Sequence, residues 1–279
     1  MPDNQRTLRK PAYVCGIGAF TGKEVKVEIL PAPIDSGPSF QLVIGDTVRD
    51  IPVSVANLIE TENRTVLADL EDPSFQVNFV EHVLATLHGM GVDNAVVRVD
   101  SIELPLIDGS ALPFLKAVEE AGIVEQDAPR RELVIDTPHF IDEGAVLLAL
   151  PHDGLRITYF LDQPGDVVGK RIAQIEVTYE NFRKRIAPAR TFIKAEKVYD
   201  LLASGAVKYQ DRNQVLIVDR DGVSQPLRFA DEYCYHKMLD ILGDMFLSGR
   251  RLRGHIVGVR SGHYQNRKMI RKLVEKYLS

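Results

Sequence analysis

The chain has 279 residues, 45% hydrophobic and 26% charged, a globular composition that excludes a disordered or fibrous protein and has room for about two domains. A net charge of −5 argues against a general nucleic-acid binder. The charge is uneven: residues 246–279 hold nine Lys/Arg against one acid, a net +8, which leaves −13 on residues 1–245.

The first residues carry no apolar signal core, and no run approaches the ~18 apolar residues of a membrane span, so a soluble cytoplasmic protein is expected. Cys15 and Cys234 imply no disulfide framework, and a buried or inert thiol is expected at both. Strands come first. Residues 23–30 alternate Val25, Val27 and Ile29 with Glu24, Lys26 and Glu28, the period of a half-buried strand, and residues 40–44 form another apolar run. The spacing predicts a helix over 79–89. Asn78 and Glu81 read as its capping box, Val80, Val83, Leu84 and Leu87 share its apolar side, and Gly89 and Gly91 end it. A strand at 95–99, a turn at 107–110 and a helix to Gly122 follow. The polar stretch 124–131 reads as a boundary between an N-terminal domain, 1–126, and a C-terminal domain, 127–279. The second half carries strands near 132–136, 145–150, 155–161, 172–178 and 214–218, helices over 191–204 and 232–247, a strand at 255–259, the turn Ser261-Gly262-His263 and a final helix. Each half thus runs strands, helix, strand, turn, helix. The expected fold is α+β: two similar domains, each a sheet with helices on one face, packed helix to helix around a cleft.

His236 and Asp240 are four residues apart on one predicted helix, so their side chains share a face, with Asp244 a turn further on. That spacing suits two ligands of one metal ion, and equally a solvated His–Asp pair. Glu81 and His82 are about 100° apart around a helix and border one site when the helix N-terminus points into it. His263 opens a helix at a strand end, where reactive groups often sit. His88, His139, His152 and His255 have no partner spacing and read as structural. Taken together, two His and one Asp from distant segments, with a Glu and a His to spare, compose an open catalytic zinc site. Such a metal polarises a carbonyl, the carboxylate takes a proton from water, and the histidine protonates a leaving amine, which points to amide hydrolysis.

At these residues the sequence resembles the UDP-3-O-acyl-N-acetylglucosamine deacetylases, zinc amidases of lipid A synthesis. The resemblance rests on Val80-Glu81-His82, on Glu103-Leu104-Pro105-Leu106-Ile107-Asp108-Gly109-Ser110-Ala111, on Ala187-Pro188-Ala189-Arg190-Thr191-Phe192, on the run from His236-Lys237 through Asp240 to Gly243-Asp244, and on Ser261-Gly262-His263. These motifs fall in order from about residue 5 to 275 and leave no length for a fused dehydratase. The resemblance implies sheets outside and helices sandwiched between them. It also implies one Zn2+ per chain, with Fe2+ possible in the same donor set, on His82, His236 and Asp240. Glu81 would be general base, and His263, oriented by Asp244, general acid or electrostatic stabiliser. Thr191 would donate to the oxyanion, and Lys237 would point to the sugar diphosphate. Phe192, Arg260, Lys208, Tyr209 and Phe20 would contact substrate. The implied partner is the acylated sugar nucleotide. A monomer is expected, with no nucleic acid and transient contact with a membrane surface. The chain departs from the family pattern where Phe20 replaces a histidine and Tyr209-Gln210-Asp211 replaces Gly-Gly-Ser. Those departures motivate the alternative of a paralogous zinc amidase acting on another N-acetylated sugar or acyl length. The basic segment from Arg267 to Lys276 reads as a solvated face.

Overall fold

A computed structural model describes residues 3–165, 167–205, 207–208 and 213–278. The N-terminal half contains β1 (Asn4–Leu8), β2 (Ala12–Ile17), β3 (Glu24–Pro31), β4 (Pro38–Ile44), β5 (Thr47–Pro52), β6 (Leu58–Ile59), β7 (Val66–Ala68), β8 (Gln76–Asn78), α1 (Glu81–Met90), β9 (Ala95–Val99), α2 (Leu112–Ala121) and β10 (Ile123–Pro129). The C-terminal half contains β11 (Glu132–Val134), β12 (His139–Asp142), β13 (Val146–Leu150), β14 (Leu155–Gln163), β15 (Gly169–Glu176), the short α3 (Tyr179–Asn181) running into a π-helical turn, β16 (Phe192–Lys194), α4 (Ala195–Ala203), β17 (Leu216–Val218), α5 (Glu232–Met245), β18 (Arg251–Val259) and α6 (His263–Tyr277).

The two halves share a topology. One sheet has the order β2-β3-β9-β4-β5 and the other β12-β13-β18-β14-β15, with β11 added beside β18. In each, the central strand arrives last and pairs antiparallel with the second strand and parallel with the third (β9 with β3 and β4, β18 with β13 and β14). The alternation in β3 works as expected, since Val25, Val27 and Ile29 are fully buried on one face. The helices fill the space between the sheets: α2 packs on β2, α6 on β12 and β13, α5 on β14 and β15, and α1 on α5. All ten residues of α1 are buried, as expected of a helix enclosed on every side. Gly243 makes the α1–α5 contact close, because a Cβ there would stand 2.2 Å from the Glu81 carbonyl oxygen. Among the described residues no helix is long and apolar enough to cross a membrane.

Some local expectations change. Asn78 does not cap α1. It lies in β8, and its amide is spent on the Ile102 carbonyl and the Arg64 guanidinium, while the helix starts at Glu81 with no side-chain cap. The stretch 124–131 carries most of β10, which pairs antiparallel with β1. The helix expected over 191–204 is preceded by β16, which pairs in parallel with β17, so only Ala195–Ala203 is helical. Cys234 is buried but Cys15 is exposed.

Candidate metal centre

The first two residues of α1 are Glu81 and His82, and α5 presents His236 and Asp240 from across the helix pair. One ligand atom each from His82, His236 and Asp240 lies within 4.8 Å of the others, and all three residues are buried. The His82 and His236 rings meet edge to face, 5.3 Å apart. His236 Nδ1 stands 3.1 Å from the Ala189 carbonyl and must donate to it, which leaves Nε2 as a free lone pair, 3.4 Å from Asp240 Oδ1. Burial keeps both imidazoles neutral, lowering His82 and pushing His236 down to about 3. Burial alone would raise the Asp240 carboxyl, but Lys237 Nζ at 2.7 Å, with His236 and His263, holds it well below the usual carboxylate range. Two neutral imidazoles and one ionised carboxylate are what a zinc-like divalent ion requires of its ligands. The donor set therefore fits a metal.

Beside the three candidate ligands, burial pushes Glu81 up to about 7, and its Oε2 accepts from the Thr65 backbone N–H at 3.0 Å. His263 opens α6, with Nδ1 2.8 Å from Asp244 Oδ2 and Nε2 3.9 Å from Asp240 Oδ2. Burial would lower its pKa, but the Asp244 and Asp240 carboxylates outweigh burial and raise it to about 9. Asp244 is fully buried and also accepts from Thr65 Oγ1 and from Asn266 Nδ2. The turn that carries His263 is tied down by Tyr159, whose hydroxyl donates to the Ser261 carbonyl.

Lys237 and Arg260 line one cleft of about 270 Å³, together with Asp162, Gln163 and Ser261. Arg260 has a left-handed φ of 58° where β18 turns into the Ser261-Gly262-His263 segment. The Phe192 ring lies 6.3 Å from the His236 ring and 5.7 Å from Lys237 Nζ. Thr191 is clamped by its backbone between Gly109 O and Leu216 N. Phe20 packs on Phe79 at 5.0 Å with the Arg64 guanidinium over its ring. The Lys208 backbone N–H donates to Ala19 O, which puts Lys208 beside the same turn. Tyr209, with Gln210 and Asp211, lies outside the described residues.

The sequence matches the family of UDP-3-O-acyl N-acetylglycosamine deacetylases over residues 5–275. The chain belongs to this deacetylase family. It is 36% identical to the UDP-3-O-acyl-N-acetylglucosamine deacetylase of Anaeromyxobacter sp. (strain Fw109-5), over 97% of this chain and 88% of that protein. It is 34% identical to the enzyme of that name from Saccharophagus degradans, over 98% of this chain and 90% of that protein. The figures for Thermodesulfovibrio yellowstonii are 34%, 97% and 92%.

Three groups in this deacetylase-family chain escaped the sequence reading. Thr65 and Asn266 complete the hydrogen bonding of Asp244, and neither stands at a spacing that points to chemistry. Arg190 was visible only as a motif letter. Its guanidinium pairs with the fully buried Glu232 at 2.8 Å and its N–H donates to the same carboxylate, which fixes the peptide whose carbonyl, Ala189 O, orients His236.

Proposed function

We propose that this chain hydrolyses the N-acetyl group of a UDP-3-O-acyl-N-acetylglucosamine, releasing acetate and the free amine, with one zinc ion on His82, His236 and Asp240. The observation that carries the reading is the buried His–His–Asp set with Glu81 and His263 beside it, in a family member whose relatives carry that enzyme's name. The metal supplies Lewis-acid polarisation of a carbonyl and of water when bound; Fe2+ suits the same donors. Glu81, poised near neutral pH, takes the proton from the attacking water. His263, protonated at neutral pH, gives a proton to the departing nitrogen, and Asp244 holds the ring's tautomer. Thr191 donates to the developing oxyanion, and Lys237 balances charge beside Asp240. Arg260 and Lys237 face the diphosphate. Phe192, Phe20, Lys208 and Tyr209 complete the substrate contacts.

In this reading the chain is a cytoplasmic monomer of two domains, 1–126 and 127–279, with the cleft between them. It meets a membrane surface only transiently. The second reading, the same chemistry on a different N-acetylated sugar or acyl length, is favoured by the Phe20–Phe79–Arg64 stack, which sets an aromatic ring where the family pattern has a histidine. Acetate release from the acylated sugar nucleotide, compared across acyl lengths and with UDP-N-acetylglucosamine itself, separates the two. Turnover that requires the 3-O-acyl chain supports the first reading, and equal turnover of the unacylated sugar supports the second. Absence of acetate from every one, with metal bound, rejects both.

A further inference from the structure

We propose that Thr65 is a positioning residue that holds the base and the acid of the site in one frame; the proposal rests on the deacetylase reading above. Thr65 is fully buried and lies in the connection between β6 and β7, away from α1, α5 and α6. Each of its polar groups is spent on the site. Its N–H donates to Glu81 Oε2 at 3.0 Å. Its carbonyl accepts from the Val80 N–H at 3.3 Å, at the very start of α1. Its hydroxyl donates to Asp244 Oδ1 and lies 3.2 Å from His263 Nδ1.

The buried Thr86 satisfies its hydroxyl within its own helix, donating to the His82 carbonyl one turn back at 2.9 Å. The Thr65 hydroxyl instead reaches a carboxylate 179 residues away. The segment before it is braced as well. Arg267 donates to the Thr61 carbonyl at 2.7 Å and to the Arg64 carbonyl at 3.3 Å, and the Thr61 hydroxyl donates to the Arg64 carbonyl at 2.8 Å. Thr65 therefore cannot follow Glu81 or Asp244 if either shifts. It sets where both must be.

The consequence for the reaction is geometric. Asp244 is fully buried, with two oxygens to satisfy. With Oδ1 taken by Thr65, Oδ2 is left to His263 Nδ1 and Asn266, each at 2.8 Å. That arrangement aims His263 Nε2 toward Asp240 and the metal ligands. Removing the hydroxyl leaves Oδ1 buried without a donor, so the carboxylate turns to find one and carries the imidazole with it. The backbone N–H to Glu81 is untouched by that change, so the acid loses its aim while the base keeps its own.

The test compares wild type with Thr65→Val, which keeps the side-chain shape and removes the hydroxyl, and with Thr65→Ser, which keeps the hydroxyl. Acetate release is measured beside bound metal, thermal midpoint and the imidazole 15N–1H NMR signals of 15N-histidine protein. For Thr65→Val the expected result is a fall in kcat of about 10- to 100-fold, KM within about twofold and unchanged metal content. The His263 Nδ1 signal moves while that of His88 stays in place, and Thr65→Ser recovers both kcat and the signal. A Thr65→Val enzyme with wild-type kcat, or a Thr65→Ser enzyme no better than Thr65→Val, overturns the proposal. So does a loss that merely follows the unfolded fraction. If wild type itself releases no acetate, the deacetylase reading fails and the spectrum alone decides: an unmoved His263 signal in Thr65→Val overturns the positioning role, and a moved signal restored in Thr65→Ser sustains it.

Discussion

Glu81 sits on the first turn of α1, buried, with one oxygen on the Thr65 N–H. Burial raises it to about 7, which suits a base that must be ionised part of the time and still hold an abstracted proton. Glu81→Gln removes the base and keeps the shape. The expected outcome is a loss of about 10²- to 10⁴-fold in acetate release with metal content unchanged; equal activity would remove Glu81 from the chemistry. The sequence carried much of this residue-scale picture. His236 and Asp240 are adjacent along one helix face, so spacing brings them together. His82 joins them only through tertiary packing, and it was the resemblance, not periodicity, that named it. Thr65 was illegible because its function lies in contacts 16 and 179 residues away, with no local pattern to mark it.

At the scale of elements, two features of α1 are testable. Gly243 lets α5 approach it, and Gly243→Ala would gain helix propensity of up to about 1 kcal/mol while driving a Cβ to 2.2 Å from a backbone oxygen. The clash wins, since backbone cannot yield as a flexible side chain can. A net destabilisation of about 1–3 kcal/mol in urea unfolding is expected, with activity reduced because Glu81 and Asp244 flank the contact. His88 fastens α1 to the C-terminal half. Its Nδ1 donates to Leu242 O at 2.9 Å, its Nε2 accepts from the Leu252 N–H at 3.2 Å, and its ring stacks on Phe246 at 4.8 Å. Both bonds need the neutral tautomer, and burial pushes the pKa down to about 3. Below the unfolded value of about 6.5, the unfolded chain binds a proton that the folded one refuses, so stability is complete above that pH and falls as pH drops toward 3. His88→Gln keeps a donor and an acceptor at the side-chain end and does not titrate. The stability gap between wild type and this variant should change by about 1.4 kcal/mol per pH unit from pH 6 to 4, and a gap that is flat with pH would contradict the assignment. The elements themselves were legible where a local period decides them, as in β3 and α5. They were misread where a distant partner decides. Asn78 has the right letter for a cap but is held in a strand by Ile102, and Thr191-Phe192 begin a helical pattern yet pair with a strand more than 20 residues on.

Across the whole molecule the charge asymmetry acquires a structural role. The basic C-terminal segment is not simply a solvated face: Arg267 is buried, and it and Arg271 reach across to the N-terminal half at Glu60 and at the carbonyls of Thr61, Arg64 and Val55. Glu60 is largely exposed, so the ion pair contributes little; the bonds from the buried Arg267 guanidinium to half-buried carbonyls dominate. Arg267→Ala takes the guanidinium donor from the Thr61 carbonyl, the Arg64 carbonyl keeping the Thr61 hydroxyl, and should cost about 1–3 kcal/mol in urea unfolding, against less than about 0.5 kcal/mol for the exposed Lys276→Ala. The duplicated strand order of the two sheets was anticipated by the repeated sequence of elements, because each half must bury one sheet face against helices. The central claim is that the His82–His236–Asp240 centre drives deacetylation, and metal titration of the stripped protein tests it most directly. As zinc is added back, acetate release from the acylated sugar nucleotide should rise linearly and break at about one equivalent per chain, and His236→Ala and Asp240→Ala should lose the tight equivalent and the activity together. Full acetate release from metal-free protein, or from His236→Ala without bound metal, would contradict the account.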